Sequence, residues 1–124
     1  MEDAAAKAEA AAKSGCLKCD KDKDRWIDKI RNTTYHCVDL PAQMDMDIGF
    51  IVCARAEAPG KKPTGKDVMF FEMALNDPRP LHQGGCGCLQ GTLLHEVAHL
   101  MGEKEEDASA IPSQCFSCYY WGGK

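Results

Sequence analysis

The sequence predicts a small domain of the α+β class, in which helices and short strands share one core. Apolar residues recur at helical spacing in residues 20–31 and 92–102. Residues 33–40 and 67–75 are rich in β-branched and aromatic side chains and are predicted strands, while residues 49–55 fit either a buried strand or a helical turn. With 124 residues, the chain is long enough for one domain with a modest core. Because the strands are short, a mainly helical structure is the alternative.

The first residues differ in composition from the rest of the chain. Residues 1–13, MEDAAAKAEAAAK, are typical of a solvated helical spacer built from Glu, Ala and Lys. Ser14 and Gly15 interrupt this pattern. We therefore divide the chain into an Ala-rich helical spacer at 1–14, either native or appended, and a domain at 15–124.

Charge and composition exclude two classes of protein. The net charge of −4 at pH 7 argues against a nucleic-acid-binding protein. No apolar run approaches the length of a membrane span. The acidic, Ala-rich start lacks the basic residues and the apolar stretch of a Sec signal peptide. For an exported protein, we therefore expect a removed signal, a larger parent protein or another export route.

Eight cysteines in so short a chain indicate disulfides and an oxidising destination. They are Cys16, Cys19, Cys37, Cys53, Cys86, Cys88, Cys115 and Cys118. The alternative is a reduced chain with a structural zinc ion on Cys16-x-x-Cys19 and Cys115-x-x-Cys118, which leaves the remaining cysteines unexplained. A redox-active pair at Cys16 and Cys19 is disfavoured, because it follows a flexible Ser-Gly and not a strand-to-helix junction.

The strongest signal for chemistry is the HExxH stretch, His95-Glu96-Val97-Ala98-His99. Residues four apart share one face of a helix, so His95 and His99 can present two imidazoles to one metal ion. Glu96 adjoins the first ligand and can act as general base on a water at that metal. Apolar flanking residues predict a buried helix, and Gly102 provides its stop. Zinc is the expected metal, because two neutral imidazoles and a carboxylate suit it.

A catalytic zinc site needs a third protein ligand as well as one position for water. In the HExxHxxGxxH pattern the chain turns at the Gly and returns a ligand three residues later, which is Glu105 in this sequence. Glu105, Ala108 and Ile111 recur every three residues, so a short helix would place Glu105 on its inward face. Glu106 and Asp107 are the alternatives, because no histidine lies downstream. A solvated acidic turn is the non-functional interpretation.

Four other side chains carry weaker signals. His36 lies in a predicted strand and is expected to be structural. His82 in a loop and Tyr119 or Tyr120 in the tail are candidates to stabilise a developing oxyanion. Aromatic residues at a C-terminus more often simply pack, so the tyrosines are not assigned to the site.

The chain resembles zincin-type metallopeptidases through its HExxH stretch and through Glu105-x-x-Ala108, whose spacing is similar to that of minimal gluzincin-like peptidases. It lacks the third histidine of metzincins, and thermolysin-like enzymes have their glutamate further downstream. The wider stretch, GGCGCLQGTLLHEVAHLMG through EEDASAIPSQCFSC, resembles small Cys-rich peptidase domains at the C-termini of bacterial polymorphic toxins and secretion-system effectors.

The resemblance implies a minimal zincin-like α+β domain, with an HExxH active-site helix, a small sheet and short helices stapled by disulfides. It also implies a secreted or periplasmic protein, exported as part of a larger one, with a cognate immunity protein as a possible partner. Zincin-like enzymes hold extended substrate on an edge strand above the active-site helix, and residues 67–75 are the candidate for that strand. An ordinary core strand is the alternative.

The predicted activity is zinc-dependent hydrolysis of peptide bonds, with Glu96 as general base and a protein or peptidoglycan peptide as substrate. His95, His99 and Glu105 are the predicted Zn2+ ligands. One alternative is a non-catalytic interaction module stapled by disulfides or zinc, in which HExxH is structural. Another is a thiol redox protein built on the CxxC pairs, which requires at least one thiol of low pKa.

Overall fold

The computed structural model of the chain describes residues 2–38, 43–45, 50–56, 65–71 and 88–116. Within these ranges lie four helices: α1 (Glu2–Ser14), α2 (Lys23–Asn32), α3 (Leu89–Leu100) and α4 (Glu105–Cys115). The same ranges hold five short strands: β1 (Thr34–Cys37), β2 (Gln43–Asp45), β3 (Phe50–Val52), β4 (Ala54–Arg55) and β5 (Asp67–Phe70). The predicted α+β class is therefore confirmed, while a zincin-like fold stays a prediction. No described helix combines the length and the apolarity that crossing a bilayer requires.

The described strands form a three-stranded mixed sheet and a separate two-stranded pair. In the larger sheet the order is β1-β5-β4, with β5 parallel to β1 and antiparallel to β4. β2 and β3 pair antiparallel, with Met44 opposite Ile51. β5 is central, and its Val68 and Phe70 are fully buried. The described part of the 67–75 segment is thus a core strand and not the edge strand on which a substrate would pair.

One hydrophobic cluster joins the helices to the sheet. α3 lies at its centre and contacts α1, α2, α4, β4 and β5. Its Leu93, Leu94 and Val97 are fully buried, and burial of each such side chain stabilises the fold by about 1.5–3 kcal/mol. Because neighbours pack on several sides of α3, the helix that carries HExxH is a rigid support.

The Ala-rich start of the chain forms a packed helix. Ala4, Ala8, Ala11 and Ala12 of α1 are buried, and α1 contacts both α2 and α3. Glu9 on α1 forms an ion pair with Arg31 on α2, at 2.7 Å between Oε1 and Nε. The prediction of a helix is confirmed, but the prediction that it is solvated is wrong on its alanine face. Small side chains at helical spacing let α1 approach its neighbours closely.

α2 is the amphipathic helix predicted for residues 20–31, beginning a few residues later. Asp22 caps its N-terminus, where the side chain accepts a hydrogen bond from the Arg25 backbone N–H at 3.1 Å. Trp26 is buried in the core, and its indole N–H donates to the Asp20 carbonyl at 2.7 Å. Among the acidic residues that begin this segment, Asp22 therefore serves as the helix cap.

The structure contains disulfides, as the cysteine count predicts. Cys16, in the loop after α1, is bonded to Cys115 at the end of α4, across a sequence separation of 99. Cys53 and Cys88 are also disulfide-bonded. Among the described cysteines, Cys19 and Cys37 are free thiols. Cys16 and Cys115 thus meet in a disulfide and not around a structural zinc ion; Cys86 and Cys118 lie outside the described residues.

Candidate metal centre

α3 brings two histidines to one face, as the HExxH spacing predicts. The helix follows Cys88, whose backbone is extended, and buries its apolar residues in the core. His95 and His99 lie one turn apart, with 3.2 Å between their Nε2 atoms. Their side chains are 16% and 26% exposed. Both imidazoles therefore stand at the boundary between the core and solvent.

The chain reverses immediately after α3. Gly102 has φ +90°, in the left-handed region that glycine adopts without a steric penalty. The Gly102 N–H donates to the His99 carbonyl and the Glu103 N–H to the Ala98 carbonyl, each at 3.0 Å. These bonds end α3 and direct the chain into α4, which starts at Glu105. The predicted turn at the glycine is confirmed.

Glu105 faces both histidines. Its Oε2 lies 2.6 Å from His99 Nε2, and its Oε1 lies 3.3 Å from His95 Nε2. The Ser109 hydroxyl, one turn further along α4, donates to Glu105 Oε1 at 3.0 Å. The structure therefore brings Glu105 to the histidines, while the competing candidates Glu106 and Asp107, on the same first turn, are not part of this group.

The three side chains fit a metal ion. One ligand atom from each of His95, His99 and Glu105 lies within 4.8 Å of the other two. Zinc–ligand bonds of about 2.0–2.2 Å in a tetrahedron would place ligand atoms roughly 3.3–3.5 Å apart. The 3.2 Å between the two Nε2 atoms and the 3.3 Å from His95 to Glu105 are close to that spacing, while the 2.6 Å from His99 to Glu105 is shorter. Among the described residues, this group is the candidate metal centre.

Electrostatics favour an ionic His95–Glu105 pair when no metal is bound. The hydrogen bond with His95, with help from the charges of both histidines and from Ser109, lowers the pKa of Glu105 to about 2 against the effect of burial. Burial alone would lower the pKa of His95, but Glu105 and the charge of Glu96 outweigh it and raise that pKa. A metal ion bound there must displace the proton of His95, so metal binding releases a proton.

Glu96 adjoins the three-residue group without belonging to it. It is buried, with 10% of its side chain exposed, and its Oε1 lies 3.9 Å from His95 Nε2. A carboxylate beside the ligands is able to accept a proton from a water molecule at the metal. This is the position that the HExxH pattern predicts for a general base.

The remaining predicted residues lie away from this centre or outside the described chain. His36 on β1 pairs with Asp67 on β5, at 2.7 Å between Nε2 and Oδ1, which agrees with a structural role. His82, Tyr119 and Tyr120 lie outside the described residues. Ser109 was missed by sequence reasoning, although its spacing of four from Glu105 is a signal for a hydrogen bond along a helix.

Comparisons with known proteins add no relative. No protein-family model, no curated protein and no solved structure matches the chain. The case for a function therefore rests on the residues and their geometry.

Proposed function

We propose that the protein is a zinc-dependent peptidase that hydrolyses peptide (amide) bonds. The observation that carries this proposal is the convergence of His95, His99 and Glu105 beside Glu96. Two imidazoles and one carboxylate form the ligand set of many catalytic zinc sites, in which the fourth position is left to water. When bound, zinc supplies Lewis acidity and lowers the pKa of a coordinated water toward neutrality.

Glu96 is the general base of the proposed reaction. Its carboxylate accepts a proton from the attacking water and later passes the same proton to the leaving amine. Burial beside His95 keeps this carboxylate in place and limits its hydration. A positioned acid–base group of this kind contributes roughly 10²–10⁴-fold to a rate.

The exposed side of the centre gives the direction from which a substrate approaches. The Glu105 side chain is 68% exposed, whereas His95 and His99 are largely shielded by the fold. A substrate therefore reaches the centre from the side of α4. The described edge strands of the larger sheet are β1 and β4, of which β4 contacts α3.

The substrate class and location belong to the same proposal. A protein or a peptidoglycan peptide is the proposed substrate, acted on by a secreted or periplasmic effector or toxin that is exported within a larger protein. The Cys16–Cys115 bond is compatible with an oxidising compartment, where such bonds persist. A cognate immunity protein is the partner that the resemblance to polymorphic toxins implies.

The test compares Glu96→Gln with the wild type and with Glu106→Gln, a matched loss of an exposed carboxylate. Zinc content, zinc affinity and hydrolysis of a mixed peptide library are measured for each. We expect one zinc per chain in all three proteins and a loss of at least about 100-fold in hydrolysis for Glu96→Gln alone. Full activity of Glu96→Gln would rule out the assigned base.

A small hydroxamate separates the peptidase from a non-catalytic module. A catalytic zinc keeps an exchangeable position, so the zinc-loaded protein should bind the hydroxamate. A zinc-loaded protein that binds none has a closed metal site, which supports the interaction module.

A further inference from the structure

α4, which carries Glu105, is held at both ends. At its start, residues 101–104 connect it to α3 through the turn at Gly102. At its end, Cys115 is bonded to Cys16 in the loop after α1. Between these ends, Ala108 and Ile111 are fully buried in the core. The direction in which Glu105 points therefore depends on how α4 is held.

α4 is a weak helix by itself. It has 11 residues, whereas isolated helices need roughly 12–15 residues to be even marginally stable in water. Pro112 lies in its interior and has no N–H to donate to the Ala108 carbonyl. Its last residues, 112–115, therefore depend on the packing of Ile111 and on the bond at Cys115.

A third sulfur lies close along the chain to this disulfide. Cys19 is a free, half-buried thiol that follows Cys16 at the spacing Cys-x-x-Cys. Cys16, Cys19 and Cys115 border the same hydrophobic cluster. The sequence disfavours Cys16 and Cys19 as a redox-active pair of the oxidoreductase type, but a free thiol is able to exchange with a disulfide that lies close to it. The residues between Cys16 and Cys19 form neither helix nor strand, and Leu17 anchors this loop in the core.

We propose that Cys16, Cys19 and Cys115 form a disulfide-exchange latch on the metal centre, a regulation that rests on the metal site proposed above. In the closed state the Cys16–Cys115 bond fixes α4, and Glu105 faces the two histidines. To open it, the Cys19 thiolate attacks Sγ of Cys16. The Cys16–Cys19 bond forms, the Cys16–Cys115 bond breaks, and Cys115 leaves as a thiolate that takes up the proton lost by Cys19. One disulfide and one thiol stand on each side, so no outside oxidant or reductant is consumed.

The surroundings of Cys19 keep the latch closed at rest. Burial and the charges of Glu103 and Asp107 raise the pKa of the Cys19 thiol, against the effect of nearby backbone hydrogen bonds. A smaller thiolate fraction slows attack on the disulfide. Glu103 and Asp107 flank Glu105 in the sequence. The pKa of the Cys19 thiol therefore depends on the charges at the start of α4, the helix that the latch holds.

In the open state α4 is held only by the turn at Gly102 and by the packing of Ala108 and Ile111. The end of the helix that contains Pro112 then loosens, and Glu105 loses its fixed position opposite the histidines. His95 and His99 stay on α3, which the core holds independently. A centre with two fixed ligands binds zinc more weakly than one with three, so opening the latch lowers zinc affinity.

The test uses the whole chain, purified oxidised, and three variants. Cys115→Ser removes the latch, Cys19→Ser removes the attacking thiol, and Cys37→Ser is the matched control, because it removes a free thiol on β1. Zinc affinity is measured by competition with a chromogenic chelator. Disulfides are mapped by mass spectrometry of unreduced peptides after increasing times of incubation at pH 8, where exchange through a thiolate is fast enough to follow. Hydrogen exchange of residues 105–115 follows the order of α4.

We expect zinc affinity to fall at least tenfold in Cys115→Ser and to stay unchanged in oxidised Cys19→Ser and Cys37→Ser. The Cys16–Cys19 bond should form during this incubation in the wild type and in Cys37→Ser. Where it forms, hydrogen exchange at the end of α4 should accelerate. Unchanged zinc affinity in a folded Cys115→Ser protein overturns the latch, as does the absence of the Cys16–Cys19 bond at every time of incubation.

Two further outcomes are separable. If Cys115→Ser does not fold, the wild type is tested instead. Unchanged hydrogen exchange at residues 113–115 in the exchanged form also overturns the latch. A folded wild-type protein that binds no zinc overturns the proposed function, and the disulfide map then shows separately whether the exchange occurs.

Discussion

Each oxygen of Glu105 has its own partner. Oε2 faces His99, while Oε1 lies between His95 and the Ser109 hydroxyl. Because Ser109 is on the same helix, it fixes the carboxylate relative to α4 and not relative to α3. Outer contacts of this kind orient a metal ligand and limit the cost of ordering it on binding.

Ser109→Ala should therefore weaken zinc binding by about tenfold, at the lower end of what loss of an outer hydrogen bond costs. Ser109→Thr keeps a hydroxyl and should retain most of the affinity. Chelator competition gives the affinities, and urea unfolding of the metal-free proteins checks that the fold is intact. Equal affinities for the alanine and threonine variants would remove Ser109 from this role.

The ionic pair of Glu105 and His95 gives the metal-free protein a defined pH response. The lowered pKa of Glu105 adds stability above its ordinary value of 4.5, and this stability is lost as the pH falls through about 2. The raised pKa of His95 adds stability below its ordinary value of 6.5, and this is lost as the pH rises through the raised value. The pair therefore stabilises the fold most between about pH 4.5 and 6.5.

Thermal unfolding of the metal-free protein from pH 3 to 9 measures this response. The difference in Tm between the wild type and Glu105→Gln should be largest near pH 5–6 and should shrink on both sides. Zinc binding requires that His95 lose its proton. Zinc affinity should therefore rise as the pH increases from 5 to 7, while the stabilisation by the ionic pair declines above about pH 6.5. A Tm difference that is constant with pH would contradict the pair.

At the scale of elements, the connection between α3 and α4 is the feature that assembles the centre. All three metal-binding candidates lie on these two helices, and Gly102 makes the reversal between them. Gly65, in the loop before β5, also has a positive φ, of +78°. A Cβ added at either glycine meets no atom of the described residues within 4 Å. The two positions therefore differ in what they connect and not in their steric surroundings.

Gly102→Ala and Gly65→Ala should each destabilise the protein by roughly 1–2 kcal/mol, the cost of a left-handed backbone for an L-residue. Only Gly102→Ala should weaken zinc binding, because it alone alters the path into α4. Urea unfolding and chelator competition on both variants separate the two effects. The same loss of zinc affinity in both proteins would mean that general stability, and not the turn, sets the affinity.

At the scale of the whole molecule, the burial of α1 differs from the solvated spacer that the sequence predicts. Its alanine face contacts α2 and α3, and α3 in turn carries the histidines. The N-terminal helix therefore packs against the helix that carries both histidines of the candidate metal centre. Side chains larger than alanine on the buried face would push α1 away from its neighbours.

Ala8→Leu should destabilise the protein by about 1–3 kcal/mol, as overpacking of a core does. Ala6→Leu, on the exposed face of the same helix, adds the same side chain and should change stability by less than about 0.5 kcal/mol. Urea unfolding of both variants gives the comparison. Equal stabilities would show that α1 is loosely attached in solution.

The parts of the molecule that sequence could predict are those encoded locally. His95, His99 and Glu105 lie within one helix, one turn and the start of the next helix, so helical spacing and one glycine were enough to place them together. The Cys16–Cys115 bond joins residues 99 positions apart, and no local pattern identifies such a partner. The central position of β5 depends on pairing with β1 and β4, which is equally non-local.

α1 shows a different limit. Alanine is the strongest helix former and is also small enough for either a solvated or a packed face, so composition alone leaves its environment open. The helix was predicted, whereas the packing of Ala4, Ala8, Ala11 and Ala12 required knowledge of what lies opposite them.

The bond between Cys16 and Cys115 affects what a single proteolytic cut does to the protein. It closes a covalent ring that contains α2, the described strands, α3 and α4. One cut in a loop of this ring opens the chain but leaves both pieces attached to each other, with His95, His99 and Glu105 still on the same piece if the cut precedes α3. A nicked molecule would run as two fragments only after reduction, and a metal ion bound by the three residues would stay bound until then.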